Sequence, residues 1–587
     1  MYILGIHTGH DAGAALFKDQ QLAAFCKEER LSRIKNQGGV FALASIDEVL
    51  RIAGVRREEI DVVAMTRIKI PLSAYKRTSR PAKDFVDRLR DGSRLRNLYR
   101  EMYRLGTLDE LSVIDLPALR QAMRLREDTG IEFCNHHKAH ILCSLKYTDW
   151  QAGLYLSVDG GGDHAYYSAY ELKDGELICH LGEDEILLTE SQNPASSVAL
   201  AYAYTTAICG FTPLRHEGKI TGLAAFGKPK AADLIRAQYL IRDNGHIDST
   251  LAGESELKAF LEETFADMSR EDIAASIQVA AEEVTLDWIH ALRKRYPVTR
   301  LGLSGGLFSN VRLNQRVAEL PGIEEVFIFP GMSDEGLPVG CAIESLLRRH
   351  GVGGLQRRRI TDLYCGYPYS GVDLMEAADS RFRRQLENEP ALVAARLVAE
   401  GGIGAIFAGA MELGPRALGG RSIIASPEKR EINDSLNRRL ERTEFMPFAP
   451  YVLDQDAESV FDIDDRNRYA CRFMTITTGV RAAWRAAIPA VVHVDGTARP
   501  QIVYRNDNPL YYDILLHFKQ LVGVPCLVNT SFNAHEEPII NTPQEALQAL
   551  AENRIDFLVC SRGLVFRARP SLPEGTGSER GVPFQGA

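Results

Sequence analysis

The feature that most constrains this fold is a pair of histidines, His136 and His140, four residues apart in the run Asn135-His136-His137-Lys138-Ala139-His140. On a helix, that spacing places both imidazoles on one face, one turn apart, where they can share a metal ion. Residues 138–145 have the pattern of a helix. The sequence therefore predicts a helix that presents two neighbouring nitrogen ligands.

Two carboxylates are predicted at the ends of buried strands. Residues 154–158 form an apolar run that leads into a Gly-rich turn beginning at Asp159, and residues 326–330 form a second run that leads to Asp334. Two histidines with aspartate suit Fe, Mn or Zn better than Ca or Mg. The alternative, that the histidines only make local hydrogen bonds, stays open here, because two histidines on one turn fall short of a motif.

The N-terminus predicts a β-hairpin with a polar tip. Residues 2–6 and 14–17 are strand-like, and the loop between them, residues 7–13, carries Gly, His and Asp. In such a loop, backbone N–H groups can approach a phosphate or a Mg-bound nucleotide. The charged run that follows, residues 27–35, is either a solvated face or a set of basic side chains directed at that anion.

Two glycine-rich segments offer further places for close backbone approach. Residues 218–227 set Lys219 among glycines, although the spacing is not that of a P-loop. Residues 300–310 read as a strand, a Gly305-Gly306 turn and the start of a helix, a pattern that lets the backbone approach a flat or phosphorylated ligand.

Composition places the chain among ordinary globular proteins. Its 587 residues suggest two to four domains, and a net charge of −9 argues against a general nucleic-acid binder. The 10 cysteines form no Cys-x-x-Cys pair, as expected of buried, reduced thiols in a cytoplasm. Met1 leads directly into the first strand, and the apolar run 198–211 is too short to span a bilayer. A cytoplasmic protein without a membrane partner is therefore predicted.

Two segments differ in character from the rest. Residues 67–104 carry a dozen Lys or Arg against four acidic residues, with tyrosines interleaved. This pattern favours a helical insertion with a basic outer face over a surface that grips nucleic acid. Residues 348–359 are charged and Gly-containing, and they predict a linker between an N-terminal and a C-terminal part.

The ordered motifs of the N-terminal part resemble those of the O-carbamoyltransferases of nodulation-factor and antibiotic biosynthesis. The matching pieces are His10-Asp11-Ala12, Glu28-Glu29-Arg30, His136-His137-x-x-His140, Val158-Asp159-Gly160, Gly218-Lys219, Ser304-Gly305-Gly306 and Ser333-Asp334. The resemblance implies an ASKHA fold, the duplicated α/β fold of actin and sugar kinases, for this part. A tRNA threonylcarbamoyladenosine synthase shares that fold.

The resemblance also implies roles for individual residues. A metal, usually iron in the family, would contact the nucleotide phosphate. Its ligands would be His136, His140, Asp159 and Asp334. His10 would be the general base for carbamoyl transfer. The nucleotide would be bound by Asp11, Lys35, Gly160, Gly218, Lys219, Gly305, Gly306 and Asn310.

A second set of motifs follows the predicted linker. It comprises Gly414-Pro415-Arg416-Ala417-Leu418-Gly419-Gly420-Arg421-Ser422, Pro447-Phe448-Ala449-Pro450, Thr497-Ala498-Arg499-Pro500-Gln501 and Asn529-Thr530-Ser531-Phe532-Asn533. These motifs resemble the YrdC-like C-terminal half of the same family. Arg forks bind phosphate and carboxylate bidentately. The resemblance implies that carbamoyl phosphate and its adenylate would contact Arg416, Arg421, Arg442, Arg499, Ser531 and Asn533. A lysine that the family carries before Pro447 has no clear equivalent, and Arg442 or Arg439 would replace it.

The expected architecture is thus α/β, with an ASKHA domain over 1–355, a basic helical insertion at about 67–130 and a YrdC-like domain over 356–587. The resemblance implies an ATP-dependent O-carbamoyltransferase: carbamoyl phosphate and ATP would give carbamoyl adenylate, and the carbamoyl group would then be transferred to a hydroxyl of a small-molecule, natural-product acceptor. ATP with Mg and a divalent metal, iron before Mn or Zn, would be its cofactors. The alternatives are a tRNA threonylcarbamoyladenosine-type synthase and a non-catalytic, actin-like nucleotide-binding protein. A homodimer and the identity of the acceptor stay open.

Overall fold

The computed structural model describes residues 1–66, 70–77, 114–163, 165–182, 192–442 and 447–568. The basic segment predicted over 67–104 falls mostly outside these residues. Within the predicted insertion of about 67–130, the described residues include one helix, Leu116–Ala122, capped by the side chain of Asp115.

The N-terminal sheet has five strands. They are β1 (Tyr2–His7), β2 (Gly13–Lys18), β3 (Gln21–Lys27), β4 (Val62–Thr66) and β5 (Gly130–Cys134). Their order across the sheet is β3-β2-β1-β4-β5, with β1 to β3 antiparallel and β4 and β5 parallel to β1. The predicted hairpin is confirmed, and its loop lies at the end of β1 that adjoins the site described below.

A second sheet repeats this arrangement. Its strands are β6 (Gly153–Gly162), β7 (Ala165–Lys173), β8 (Glu176–Leu181), β11 (Arg300–Ser304) and β12 (Glu325–Ile328), and a separate hairpin pairs β9 (Tyr239–Ile241) with β10 (Ile247–Ser249). The order is β8-β7-β6-β11-β12, again with the first three strands antiparallel and the last two parallel to the first. Two sheets with the same strand order and directions form the duplicated ASKHA domain that was predicted.

Eleven described helices accompany the two sheets. They are α1 (Glu28–Ser32), α2 (Leu43–Ala53), α3 (Leu116–Ala122), α4 (His136–Lys146), α5 (Val198–Ile208), α6 (Glu217–Leu223), α7 (Ala232–Arg236), α8 (Glu254–Phe265), α9 (Arg270–Arg295), α10 (Val311–Ala318) and α11 (Leu337–Gly354). Helices α4 and α11 share one apolar core with side chains from both sheets, including Ile3, Phe17, Tyr155 and Phe327. This core fixes α4, which carries the predicted histidine pair, between the two repeats.

The contact between α4 and α11 depends on Gly340. A Cβ at this position would lie 2.0 Å from the carbonyl oxygen of Ala139, so the two helices touch through their backbones. We expect Gly340→Ala to destabilise the fold by about 1–3 kcal/mol, the usual effect of overpacking, and to lower the melting temperature measured by calorimetry. Gly353→Ala, in the last turn of the same helix, has nothing within 4 Å of the new Cβ and is the matched control. Equal melting of both variants and the wild type would contradict the close contact.

The C-terminal part is built on an eight-stranded mixed sheet in the order β13-β22-β21-β14-β15-β20-β16-β19. Its strands are β13 (Phe382–Leu386), β14 (Gly404–Phe407), β15 (Arg421–Ala425), β16 (Ala449–Leu453), β19 (Gln501–Val503), β20 (Cys526–Ser531), β21 (Phe557–Cys560) and β22 (Gly563–Arg567), and β17 (Thr478–Gly479) pairs separately with β18 (Thr497–Ala498). The helices are α12 (Gly371–Ala377), α13 (Pro390–Ala399), α14 (Glu431–Arg439), α15 (Ala457–Val460), α16 (Arg468–Cys471), α17 (Ala482–Arg485), α18 (Pro509–Val522) and α19 (Pro543–Ala551). This is the YrdC-like α/β domain that was predicted.

The linker predicted over 348–359 is wrong in its first half. Helix α11 continues through it to Gly354, with a kink at Gly351, whose φ is 65°. The rest is fastened to the N-terminal part: Arg357 donates to the carbonyl of Trp150 (2.6 Å), and Arg359 pairs with Glu325 (2.7 Å). The charged side chains that indicated a linker therefore include two that bind the N-terminal part of the protein.

Two further expectations concern the chain as a whole. None of the described helices combines the length and the apolar character needed to cross a bilayer. All ten cysteines are free, and eight of them are buried.

Candidate functional site: a buried metal-ligand set and a cationic cavity

The histidine pair is positioned by the N-terminal turn of α4. The side chain of Asn135 accepts a hydrogen bond from the N–H of Lys138 (2.9 Å), which fixes the start of the helix at His136, two residues before the predicted start. His140 Nε2 then lies 3.2 Å from His136 Nε2, and both side chains are buried. The predicted geometry of two imidazoles on adjacent turns is present.

Two aspartates from the second repeat face these nitrogens. His140 Nε2 lies 3.6 Å from Asp159 Oδ2 and 3.5 Å from Asp334 Oδ1, and His136 Nε2 lies 3.6 Å from the same Asp334 oxygen. The four ligand atoms are all within 4.8 Å of one another. Asp159 belongs to the last residues of β6, whereas Asp334 begins a short 3₁₀ helix in the loop after β12 rather than ending the strand.

The chemistry of these four residues fits a divalent first-row cation. Asp334 Oδ1 is buried without a hydrogen-bond partner. Burial lowers the pKa of His136 to about 3, so its imidazole is neutral and can offer a lone pair. Neighbouring ligands on a tetrahedral ion with bonds near 2.0 Å are about 3.3 Å apart, close to the observed nitrogen separation of 3.2 Å. The set of two His and two Asp suits Fe, Mn or Zn.

Residues around the ligands hold them in orientation. Asp159 accepts hydrogen bonds from the N–H of Gly160 (2.6 Å) and of Gly306 (2.7 Å). His7, which sequence reasoning missed, packs its Nδ1 at 3.0 Å from Thr66 Oγ1 and its Nε2 at 3.4 Å from Asp334 Oδ2. Such outer contacts commonly tune metal affinity. The polar loop that contains His7 was noticed in the sequence, but the motif matched there begins at His10 and does not include His7.

His10 lies beside this set and between two carboxylates. Its Nε2 is 3.1 Å from Asp334 Oδ2, and its Nδ1 is 3.3 Å from Asp11 Oδ2. Burial opposes the charge on Asp11, but Lys27, at 2.6 Å, and His10 hold the pKa of Asp11 well below its usual range. His10 is part-exposed, with 24% of its side chain accessible, while its neighbours are buried. A ring held in this way can exchange a proton with a bound molecule.

A cavity of about 360 Å³ opens between the N-terminal and C-terminal parts. Eight of the residues predicted to bind nucleotide or carbamoyl phosphate line it. They are Lys35, Gly218, Lys219, Arg416, Arg442, Arg499, Ser531 and Asn533. The structure thus brings together residues separated by hundreds of positions in the sequence. The cavity wall has seven Lys or Arg side chains and three acidic ones, so it is cationic on balance.

Arg442 organises the C-terminal wall of the cavity. Its guanidinium donates to Thr530 Oγ1 (2.7 Å), Ser531 Oγ (3.0 Å) and Asn533 Oδ1 (3.1 Å). Arg439, the alternative candidate for the missing lysine, instead pairs with Asp556 (2.7 Å) and is not among the residues that line the cavity. Of the two candidates, Arg442 is therefore the one that lies in the cavity wall.

Several predicted binding residues lie elsewhere among the described residues. Arg421 is fully buried in β15. Its guanidinium donates hydrogen bonds to the carbonyls of Ala408 and Gly420 and lies over the Phe407 ring. These contacts place its charge inside the core of the C-terminal domain. Asn310 caps α10 and bonds to Gln278 (2.8 Å). The remaining four residues are Asp11, Gly160, Gly305 and Gly306. They lie near His10 or Asp159 and are not among the residues that line the cavity.

The cavity wall also contains residues that the sequence did not single out. Arg215, His216 and Arg312 come from the N-terminal part, and His493 comes from the C-terminal part. Burial lowers the pKa of His493 to about 4, so that ring is neutral at ordinary pH. Arg215 and His216 lie just before the Gly218-Lys219 motif, and this nearness was the signal in the sequence that could have identified them.

Comparison with known proteins identifies the family. The duplicated sheet, the cluster of two His and two Asp and the cavity define an α/β protein with a possible metal site and a cavity between its N-terminal and C-terminal parts. The model "Carbamoyltransferase N-terminus" matches residues 2–343, and "Carbamoyltransferase C-terminus" matches residues 395–567. The chain belongs to the carbamoyltransferase family and is a carbamoyltransferase enzyme, as the resemblance implied.

Its relatives include nodulation proteins. Nodulation protein NolNO of Sinorhizobium fredii is 30% identical over 96% of this chain and 80% of that protein. Nodulation protein NolO of Bradyrhizobium diazoefficiens is 31% identical over 76% of this chain and 82% of that protein. Among solved structures, full-length HypF in its phosphate- and nucleotide-bound form is 14% identical, with a TM-score of 0.37 over 60% of this chain and 56% of that chain. That likeness is too distant to carry a functional argument.

Proposed function

We propose that this carbamoyltransferase uses ATP to activate carbamoyl phosphate and then transfers the carbamoyl group to a hydroxyl of a small molecule. The observation that carries the proposal is the cationic cavity between the two domains, which adjoins the part of the fold that holds His10 and the metal-ligand set. Nodulation relatives make a natural-product alcohol the proposed acceptor.

Activation is assigned to the C-terminal wall of the cavity. The carbonyl of a carbamoyl group is deactivated by its nitrogen, so an alcohol needs a good leaving group before it can attack. Water releases phosphate from carbamoyl phosphate to give carbamate, and a carbamate oxygen then displaces pyrophosphate from the α-phosphorus of ATP. The product is carbamoyl adenylate. Arg416, Arg442 and Arg499 would bind the phosphates of these anions, with Mg accompanying ATP.

Transfer is assigned to the N-terminal domain. The acceptor hydroxyl attacks the carbamoyl carbon, its proton passes to His10, and AMP leaves. A positioned base typically contributes about 10²–10⁴-fold. A divalent metal on His136, His140, Asp159 and Asp334, proposed to be iron, would polarise the phosphate of the leaving AMP. The division between residues 1–355 and 356–587 is thus proposed to be a division between transfer and activation.

Lys35 predicts a pH dependence for the binding of the anionic substrates. Burial lowers the pKa of this ammonium group to about 8, so it is charged at neutral pH and loses its charge as the pH rises past that value. We expect kcat/KM for ATP to fall above pH 8, because kcat/KM reports the ionisation of the free enzyme. In Lys35→Arg the fall should move to higher pH, because a guanidinium stays charged. Identical pH profiles for the two proteins would exclude this role for Lys35.

The proposal is tested by supplying carbamoyl phosphate, ATP and a panel of alcohols. Phosphate, pyrophosphate and carbamoylated product are measured together, the product by mass spectrometry. We expect pyrophosphate release that requires carbamoyl phosphate, and a carbamoylated alcohol for at least one acceptor class. Product formed without ATP would refute the activation step. Carbamoylation or pyrophosphate release that occurs only with tRNA would favour a tRNA-modifying enzyme instead.

A further inference from the structure

We propose that Asn36 is a positioning residue that couples the transfer base, His10, to the wall of the interdomain cavity. The proposal rests on the proposed function, because it concerns the orientation of His10 during transfer. Asn36 belongs to the segment of residues 34–39, between α1 and α2, which we call the strap. The strap begins beside the cavity, which Lys35 lines, and ends against the loop that carries His10.

The strap is fastened to the His10 loop through the backbone. Ala12 donates its N–H to the carbonyl of Gln37 (2.9 Å), and Gly39 donates its N–H to the carbonyl of Thr8 (2.7 Å). The two segments are so close that a Cβ on Gly38 would lie 2.2 Å from the carbonyl oxygen of Gly9. Any displacement of the strap therefore displaces the loop that presents His10.

The Asn36 side chain secures the partner of His10. Its Nδ2 donates to Asp11 Oδ1 (2.9 Å) and Asp11 Oδ2 (3.0 Å), and Lys27 Nζ lies 2.6 Å from Asp11 Oδ1. Asp11 Oδ2, which faces His10 Nδ1 at 3.3 Å, is thus held from one side by Asn36. The residue is held in a left-handed conformation with a φ of 52°, and its own N–H donates to Glu29 Oε2 (2.9 Å). Asparagine is among the few side chains that tolerate this backbone conformation.

The other end of the same amide reaches the cavity. Asn36 Oδ1 accepts a hydrogen bond from Arg215 Nε (3.3 Å). Arg215 Nη2 in turn lies 3.1 Å from Glu536 Oε2, which belongs to the C-terminal domain, and both of these residues line the cavity. A continuous set of polar contacts therefore runs from the C-terminal wall through Arg215, Asn36 and Asp11 to His10.

This arrangement makes the orientation of His10 depend on how the cavity wall is formed. The amide of Asn36 has no acidic or basic function of its own, so it acts only through Asp11 and the strap. A displacement of about 1 Å in a reacting group can cost about 100-fold in rate. We therefore expect loss of the Asn36 side chain to slow transfer strongly while affecting adenylate formation far less.

The test compares Asn36→Gly, which keeps the backbone conformation and removes the amide, with Asn36→Asp, which sets a carboxylate against Asp11. Asn553→Gly is the matched control, because Asn553 also has a positive φ (64°) but is exposed, just beyond α19. We expect Asn36→Gly to lower kcat for product by up to about 100-fold with little change in the KM for ATP. Asn36→Asp should lower it further. Equal losses of product and pyrophosphate would overturn the proposal.

A double-mutant cycle with His10→Asn separates positioning from a general structural effect. If Asn36 acts through His10, Asn36→Gly should add nothing in the His10→Asn background. An undiminished effect in that background would place Asn36 in another role. Thermal melting of the four proteins checks that stability does not explain the difference.

Hydrogen exchange of the backbone amides tests the contact between the strap and the His10 loop without requiring the proposed reaction. In the full-length protein, Asn36→Gly should speed exchange in the peptide that covers residues 8–13, whereas Asn553→Gly should not. Unchanged exchange in this peptide would overturn the proposal even if the enzyme makes carbamoylated product. Faster exchange in a protein that releases no pyrophosphate would support the coupling by the strap and refute the proposed function.

Discussion

Asp334→Asn is expected to abolish metal binding at the proposed site. Asparagine keeps the shape of the side chain but removes a negative charge that four histidines face. Asp334 Oδ1 faces His136 and His140, at 3.6 and 3.5 Å. Asp334 Oδ2 faces His10 and His7, at 3.1 and 3.4 Å. Burial opposes ionisation of Asp334, but His10 and His136 hold its pKa well below its usual range, so the group is a carboxylate at all ordinary pH values.

The loss of metal affinity in Asp334→Asn should exceed the loss caused by removing a residue that only contacts a metal ligand. Removing an outer partner of a metal ligand typically costs about 10–100-fold in affinity, and removal of a ligand should cost more. Elemental analysis of the purified proteins and competition with a chelator measure the loss. Asp163→Asn is the graded control, because Asp163 accepts the N–H of His136 (2.8 Å) but is not one of the four residues of the ligand set. A wild type that is fully active and free of metal would refute the assignment.

His10→Asn and Arg499→Ala are expected to fail at different steps. His10→Asn keeps a polar side chain but removes the base, so product should fall by about 10²–10⁴-fold while pyrophosphate release continues. Arg499→Ala removes a guanidinium from the cavity wall. Losing a charged contact to a buried anion costs about 2–5 kcal/mol, so pyrophosphate and product should both be lost.

Parallel measurement of pyrophosphate and carbamoylated product distinguishes the two variants. Carbamoyl adenylate should accumulate in His10→Asn and be detected by mass spectrometry after rapid quenching. Arg505→Ala is the matched control for removal of an arginine, because Arg505 is exposed and pairs with Asp513 (3.0 Å) away from the cavity. If His10→Asn and Arg499→Ala lose pyrophosphate release equally, the proposed division of labour between the domains is wrong.

The parts of the site that the sequence predicted best are those fixed by local geometry. The spacing of His136 and His140 determines their relation once a helix forms, and the hairpin of β1 and β2 follows from two apolar runs with a short polar loop between them. Asp159 and Asp334 were predicted from their places after buried strands, and the family resemblance then assigned them to the same metal as the histidines. The site residues themselves remain predictions until they are tested by substitution.

The predicted binding residues that do not line the cavity come from local patterns with two structural meanings. Gly305 and Gly306 looked like a ligand-binding turn, but a Cβ on Gly305 would lie 2.3 Å from the carbonyl oxygen of Val158, so the glycine admits the protein's own backbone. Arg421 stands in the same motif as Arg416, yet β15 buries it in the core. The contact between Asn36 and Arg215 joins residues far apart in the chain, and no local periodicity encodes such a pairing.

The placement of the ligand set has a thermodynamic consequence. His136 and His140 belong to the helix that follows the first sheet, whereas Asp159 and Asp334 belong to the second repeat. A bound ion would therefore join segments that precede and follow the start of the second repeat, and its binding free energy would add to the free energy of unfolding. At a free metal concentration 100 times Kd, the gain is about 2.7 kcal/mol. Chelation should then lower the midpoint of thermal unfolding, measured by calorimetry, while the apolar core that both repeats share keeps them unfolding together.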